Sequence, residues 1–305
     1  MNTISFNREE QKFVNICKSI ANPIIKTLAS PPNKIQCAIV GGFNRDKLLG
    51  KAPNDIDLVV NSFFFQKFVR SLQTRLEEMV DCEVLSFKTI VLTNPIKNRK
   101  ELFRFVISID GKKIEIDITG VDGLTFKADA YYRDFTINSI YYDLSRDALI
   151  DPLGGQIDLK NKLIKTCADP HMAFKDPTRV IRAFRMAKML EFSIEKPILQ
   201  YIIGEFFVKD LIKNKPSRAE FEKLFSTDAP SIIDVLSEYG ILKCYPFYNY
   251  RESFFKYEKY EKRLKVIARH LEDTKNDNSS PEENDKKLDN FMLLKIYWIF
   301  IYFTS

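Results

Sequence analysis

The sequence predicts an α+β architecture, a mixed domain of strands and helices followed by helices alone. Three observations carry that prediction. Short apolar runs of strand length alternate with amphipathic stretches over residues 35–158. Two alternating runs, 103–109 and 112–118, flank Asp110-Gly111, a dipeptide whose residues both tolerate the positive φ of a tight hairpin turn. From about Leu159 onward the strand signals fade and helical spacing takes over.

Each element follows in order. Residues 6–29 carry apolar side chains at helical spacing (Phe13, Ile16, Cys17, Ile20, Ile24, Leu28), and Ser30-Pro31-Pro32 stops that helix. Residues 35–40 read as a short buried strand ending in Gly41-Gly42. One or two helical turns suit 44–49, closed by Gly50, and 56–60 is another strand. Residues 62–79 are amphipathic and helical, and 83–93 look like a strand ahead of the hairpin. Beyond the mixed region, 177–190, 198–207, 218–225, 231–239 and 257–271 read as helices. Residues 272–287 are polar and charged, with Ser-Ser-Pro inside, and read as a linker.

Composition narrows the function classes. A chain of 305 residues suits about two domains, and 45% apolar against 29% charged residues describes a core-forming protein. The net charge of +6 is a mild basic excess that favours anionic partners where it clusters. The five cysteines (Cys17, Cys37, Cys82, Cys167, Cys244) never approach a CxxC spacing and only two histidines, His171 and His270, are present. That argues against a disulfide scaffold and a Cys/His zinc site. Glu9 and Glu10 near the start do not suit a secretory signal, and the apolar stretch 291–303 is short for a span and broken by Lys295. The expectation is a soluble, intracellular protein, cytoplasmic ahead of mitochondrial or nuclear, with no membrane association.

Four constellations carry chemistry. The first is Gly41-Gly42-Phe43-Asn44-Arg45-Asp46 followed by Asp55-Ile56-Asp57. With a side-chain period of two, Asp55 and Asp57 point to one face of a strand and can share divalent cations. Such a pair suits two-metal phosphoryl transfer, and the Gly-Gly turn lets backbone N–H groups approach a triphosphate. Taken singly, either piece also suits a plain turn or a solvated strand end. The second is Glu115-Ile116-Asp117 on the second hairpin strand, where a third carboxylate, Glu115 ahead of Asp117, would complete a metal cluster or take a proton; an exposed charged edge is the structural alternative.

The third joins Arg133-Asp134-Phe135-Thr136-Ile137-Asn138 to Asp151-Pro152-Leu153-Gly154-Gly155 and Asp158-Leu159. The fourth is Lys175-Asp176-Pro177-Thr178-Arg179 with Arg182, Arg185 and Lys188 beyond. Helical spacing keeps Arg179, Arg182 and Arg185 within about a third of the circumference. Residues 159–188 hold eight Lys/Arg against two Asp, an excess equal to that of the whole chain. A basic stripe beside a carboxylate pair is what triphosphate binding needs, although a stripe alone also describes a solvated face.

Together, in this order over residues 40–190, these motifs resemble the class II tRNA nucleotidyltransferase and bacterial poly(A) polymerase family. The Arg45-Asp46-Lys47-Leu48-Leu49-Gly50 run and Asn94-Pro95-x-Lys97 look most like eukaryotic CCA-adding members. The resemblance implies a polymerase-β-like nucleotidyltransferase head with an all-helical neck and body: an N-terminal helix over 1–34, the head over 35–158, and a neck with nucleotide-reading arginines over 159–212. An RNA-binding body over 213–271, a linker over 272–287 and a C-terminal helix over 288–305 would follow.

Carried over by position, Asp55 and Asp57 would bind Mg²⁺, with Glu115 as the third catalytic carboxylate. Gly42 and Arg45 would meet the incoming nucleotide, Arg133 and Asp134 would hold phosphate and ribose, and Asn138 would brace that segment. Asp176 and Arg179 would read the base, and Arg182 and Arg185 would bind the triphosphate. Three positions depart from the family pattern: Lys175 stands where a first acid is usual, Gly120 where an arginine is usual, and Asn44 where a small or apolar residue is usual.

The implied activity is template-independent addition of CCA to tRNA 3′ ends from CTP and ATP, with release of pyrophosphate. The alternatives are poly(A) synthesis, partial CC or A addition, or an inactive RNA-binding subunit. The basic, tyrosine-interleaved stretch 256–269 suits RNA phosphates or a solvated face. The aromatic C-terminal helix suits internal packing or a partner protein.

Overall fold

The structure is a computed structural model and describes residues 4–27, 36–92, 100–121, 125–176 and 178–203, with Glu220 and Lys223. The helices expected at 218–225, 231–239 and 257–271, the linker, the C-terminal helix, Asn94-Pro95-x-Lys97, Cys244 and His270 lie outside the described residues. The chain divides into two units at the Asp169/Pro170 junction.

The first unit is built on one mixed sheet. Its elements are α1 (Arg8–Thr27), β1 (Cys37–Val40), α2 (Gly42–Leu48), β2 (Asp55–Asn61), α3 (Phe65–Glu77), β3 (Cys82–Leu92), β4 (Lys100–Ile109) and β5 (Lys112–Val121). After them come α4 (Phe126–Tyr131), a 3₁₀ turn at Thr136–Asn138, β6 (Tyr141–Asp143), β7 (Ala148–Ile150), α5 (Gly155–Lys160) and the two-residue β8 (Leu163–Ile164). The seven-stranded order is β3-β4-β5-β2-β1-β6-β7. All neighbours are antiparallel except β2 and β5, which run parallel.

The expected hairpin is present, with Asp110 at φ 51° and Gly111 at φ 78° turning β4 into β5. Alternation decides the two faces of the sheet. Ile56, Leu58 and Val60 on β2 join Ile116 and Ile118 on β5 in the larger core, beneath Phe68, Leu72 and Leu76 of α3. The opposite face carries a smaller core of Ala38, Val40, Val59, Val121, Phe126, Ala130 and Tyr141. Asp55 and Asp57 lie on this second face, at the end where the apolar residues give out.

Helix α1, which the sequence sets apart as a segment of its own, packs into the larger core through Phe13, Val14, Cys17, Ile20 and Ala21. Its start is a reciprocal capping box: Asn7 Oδ1 accepts from the Glu10 N–H and Glu10 Oε2 accepts from the Asn7 N–H, both at 2.8 Å. Ion pairs from Glu10 to Lys47, from Glu9 to Lys112 and from Lys12 to Asp110 join it to α2 and the hairpin.

The short strands β6 and β7 escape a sequence reading because three residues offer no measurable alternation. The second unit holds α6 (Pro170–Ala173), α7 (Thr178–Leu190), the two-residue β9 (Ser193–Ile194) and α8 (Lys196–Ile203). The region after Leu159 is therefore not wholly helical: β8 and β9 are extended, each too short to register as a periodic signal. Cys17 and Cys37 are buried, and all four described cysteines are free thiols. No helix among the described residues is long and apolar enough to cross a membrane.

Because Phe13 is fully buried in the core of the sheet, Phe13→Ala is expected to cost about 3–5 kcal/mol of stability. Urea unfolding checks this; a loss below about 1 kcal/mol would mean that α1 is an appendage and not part of the core.

Candidate functional site

The parallel pairing of β2 with β5 sets Asp55 opposite Glu115 and Asp57 opposite Asp117. Cross-strand partners share a face, so four carboxylates stand side by side. β1 ends beside them, Val40 opposite Asp57, and the chain turns at Gly41 with φ 85°. A Cβ on Gly41 would stand 2.5 Å from Asp57 Oδ2. Glycine is required here twice over, for the left-handed backbone and for the space the carboxylate fills.

Electrostatics mark this cluster as short of positive charge. Burial, then the Asp55 charge, pushes the Asp57 carboxyl up to about 7, against a pull downward from Arg133. Burial also raises Asp55, with Asp117 and Glu115 adding to it and Arg45 opposing. Like charges gathered at a half-buried strand end are stabilised when a cation joins them. The Asp55–Asp57 pair thus fits a divalent ion, and Gly41 leaves the space one oxygen occupies. Among the described residues no three acidic, His or Cys side chains converge as a ready ligand set. Arg104 holds two of the four carboxylates, Asp117 and Glu115.

Sequence reasoning missed Arg104. Its Nε and Nη2 donate to the two oxygens of Asp117 at 2.7 and 2.6 Å, and its Nη1 lies 3.0 Å from Glu115 Oε1. The signal was available: counting outward from the Asp110-Gly111 turn puts residue 104 opposite 117.

A second layer positions the segment after α4. Asn138 Oδ1 accepts from Arg45 Nη1 at 2.9 Å, and Asn138 Nδ2 donates to Asp134 Oδ1 at 3.1 Å. Asp46 takes the other two Arg45 nitrogens, at 2.8 and 2.9 Å. A Cβ on Gly42 would stand 3.3 Å from Arg45 Nη2, so this glycine makes room for the guanidinium. Arg133 donates through Nε to Asp129 Oδ2 at 2.9 Å and to the Tyr141 hydroxyl at 3.0 Å, and it lies over the Tyr141 ring. Asp129 and Tyr141 were also missed, although the four-residue step from Asp129 to Arg133 is a helical pairing.

The Asp-Pro-Leu-Gly-Gly motif is a brace for the same segment. Both Asp151 oxygens accept backbone N–H groups, from Gly155 and Gln156. Gly155 then packs so closely that a Cβ would stand 2.2 Å from the Thr136 carbonyl oxygen. Asp158 Oδ2 accepts from Thr136 Oγ1 at 2.6 Å. Backbone bonds from Thr136 N–H to Lys165 and from Cys167 N–H to Asp134 close the other side.

Two departures from the family pattern have structural explanations. Asn44 is fully buried, and its Nδ2 donates to the carbonyls of Ile39 and Ile140 at 2.8 Å each, tying α2 to β1 and to the residue ahead of β6. Gly120 lies under Phe65, whose ring would meet a Cβ at 3.2 Å. Lys175, the third, is exposed.

The arginine stripe lies in the second unit, on α7. Asp176 Oδ1 accepts from the Thr178 N–H at 3.1 Å and so caps that helix. Arg179 is buried, and its Nη1 donates to the Ala173 carbonyl at 3.3 Å. Arg182 and Arg185 both pair with the buried Glu220, which sequence reasoning passed over.

With this geometry in view, residues 37–165 match the poly(A) polymerase head domain. Over 241 residues the chain is 27% identical to the tRNA nucleotidyltransferase cca2 of Schizosaccharomyces pombe, which covers 72% of the chain and 49% of that protein. Over 163 residues it is 34% identical to a CC-adding tRNA nucleotidyltransferase of Geobacter sulfurreducens, covering 53% of the chain and 34% of the relative. The chain spans about half the length, or less, of these curated relatives. The CCA-adding enzyme of Thermotoga maritima solved in complex with tRNA shares the fold at a TM-score of 0.63 and 22% identity, over 97% of this chain and 70% of that one. The fold expected from the motifs, a polymerase-β-like head, is thus present.

The raised Asp57 pKa has a signed consequence. An acid whose folded-state pKa lies above its ordinary 3.8 costs stability once ionised. That cost is fully present above about pH 7 and is relieved as pH falls through about 7 toward the ordinary carboxylate range. In EDTA, Asp57→Asn is therefore expected to raise the Tm at about pH 8 and to flatten its dependence between about pH 8 and pH 5. An unchanged pH slope would show that Asp57 ionises without strain.

Proposed function

We propose that the protein is a Mg²⁺-dependent nucleotidyltransferase that adds C, C and A to tRNA 3′ ends from CTP and ATP. One observation carries most weight: a charge-strained Asp55–Asp57 pair at the glycine turn, flanked by the Arg45–Asn138–Asp134 bridge and Arg133. Mg²⁺, when bound, would neutralise charge on the attacking and leaving oxygens. The RNA 3′ hydroxyl attacks the α-phosphate in line, its O–P bond forming as the bond to pyrophosphate breaks. Asp55 and Asp57 would hold the ion, and Glu115 is the third carboxylate. Gly42, lacking a side chain, and Arg45 would border the incoming nucleotide, while Arg133 and Asp134 would hold its phosphate and ribose with Asn138 bracing them.

Reading of the base falls to Asp176 and Arg179. The bond from Arg179 to Ala173 supports this, since a guanidinium held before the base arrives loses little freedom on binding. Arg182 and Arg185 would take the triphosphate. The substrates are then tRNA, ATP and CTP. Similarity to tRNA nucleotidyltransferases, including one solved with tRNA, supports this assignment. Poly(A) synthesis is the second reading, favoured by the head-domain match over residues 37–165.

Incubation with tRNA lacking its 3′ end and each nucleoside triphosphate singly separates the two. The expected outcome is two C residues from CTP alone and none from ATP until CC is present. A long A tail from ATP alone would establish poly(A) synthesis instead. Asp55→Ala or Asp57→Ala is expected to abolish incorporation without loss of thermal stability, and normal turnover by either variant would remove the pair from the chemistry.

For base reading, Arg179→Ala should impair CTP and ATP use together, whereas Asp176→Ala should admit UTP and GTP by leaving the amine unread. Lys175→Glu should alter RNA affinity more than nucleotide choice. If Lys175→Glu instead lets an ATP-only enzyme use CTP, the native activity is A addition.

A further inference from the structure

We infer that Arg104 is a positioning residue of the transfer site: it withholds Asp117 from the metal and leaves Glu115 as the carboxylate that joins Asp55 and Asp57. This rests on the metal-dependent reading above and deepens it.

The problem Arg104 solves is one of excess. The β2–β5 register brings four acids together, and Asp117 stands opposite Asp57, while Glu115 stands opposite Asp55. A two-ion transfer site needs some of these carboxylates as ligands, but a fourth bare acid would compete for the ion and repel the others. The hairpin supplies the remedy on the neighbouring strand, where Arg104 is the direct cross-strand partner of Asp117.

The guanidinium does not share itself equally. Two of its nitrogens engage both Asp117 oxygens side-on, at 2.7 and 2.6 Å. Its contact with Glu115 is a single approach to one oxygen, Oε1, at 3.0 Å. Bidentate arginine–carboxylate pairs are stronger and more tightly oriented than single contacts. Exposure points the same way, with the Asp117 side chain 14% exposed and that of Glu115 36%. Glu115 is therefore the carboxylate that would be released to hold an ion with Asp55 and Asp57, while Arg104 would keep Asp117. The longer glutamate side chain has the additional torsion to make that change; the aspartate does not.

Direct titration with Mn²⁺ alone, read by the loss of its free-ion EPR signal, tests the assignment without RNA or nucleotide. In the native background, Glu115→Gln is expected to weaken Mn²⁺ binding at least about tenfold, and Asp117→Asn to change it less than about threefold. In Arg104→Gln the freed Asp117 becomes a ligand, so Mn²⁺ should bind more tightly than to the native protein, and adding Asp117→Asn should reverse the gain. Arg104→Lys guards against a variant that fails to fold, because it keeps the charge but cannot hold both Asp117 oxygens. It should reproduce the new dependence on Asp117.

A loss on Asp117→Asn in the native background equal to that of Glu115→Gln would overturn the inference, as would Mn²⁺ affinity indifferent to Arg104. So would Mn²⁺ binding that is absent or independent of Asp55. Nucleotide incorporation is scored separately. The expected Mn²⁺ pattern in a protein that incorporates nothing would sink the proposed activity and leave the role of Arg104 standing. Incorporation with the inverted pattern would do the reverse.

Discussion

Parallel pairing of β2 with β5 is the constraint from which the chemistry of this protein follows. Every other neighbour in the sheet is antiparallel and could be joined by a local turn. This one needs α3, β3 and β4 to intervene, and so brings together acids 60 residues apart in the chain. The register is pinned by burial on the other face, where Ile56 and Leu58 lie beside Ile116 and Ile118 in the main core. A slip of one residue would exchange acids for apolar side chains along both strands. The hydrophobic effect on one face therefore holds a concentration of like charge on the other.

That arrangement is costly, and much of the surrounding structure offsets it. Arg133 faces Asp57, held by Asp129 and Tyr141. Arg104 covers the outer pair of acids. Gly41 gives the Asp57 carboxylate room that any side chain would close. The cluster is left short of the positive charge that a bound cation would supply. Strain of this kind, resolved only when a ligand arrives, is a usual signature of a functional cluster.

Bracing around residues 133–138 is the second theme. This segment has only one turn of regular structure, yet it is tied to α2 through Arg45 and Asn138, to α5 through Asp158 and Gly155, and to residues 165–167 by backbone bonds. The Asp-Pro-Leu-Gly-Gly motif, which looks like a loop signature, serves here to cap α5 and seat it against Thr136. Positions 44 and 120, where the chain departs from the family pattern, likewise serve packing, through buried amide bonds and an overlying phenylalanine.

By itself, the sequence determined the local and the periodic. Helical spacing located α1, α3 and α7, alternation and Asp110-Gly111 located the hairpin, and the period of two in Asp55-Ile56-Asp57 placed both acids on one face. Those features depend on interactions within a few residues, which a linear pattern records. Even Arg104 was legible in principle, since a two-residue turn dictates cross-strand partners by counting. What tertiary structure alone decided were the contacts across long loops: the Asp57–Asp117 register, the Arg45–Asn138 bridge, the seat of α1 in the head's core and the pairing of Arg182 and Arg185 with Glu220. None has a local cause. Each arises because burying one apolar face leaves distant polar groups adjacent, and adjacency of that kind is a property of the packed chain.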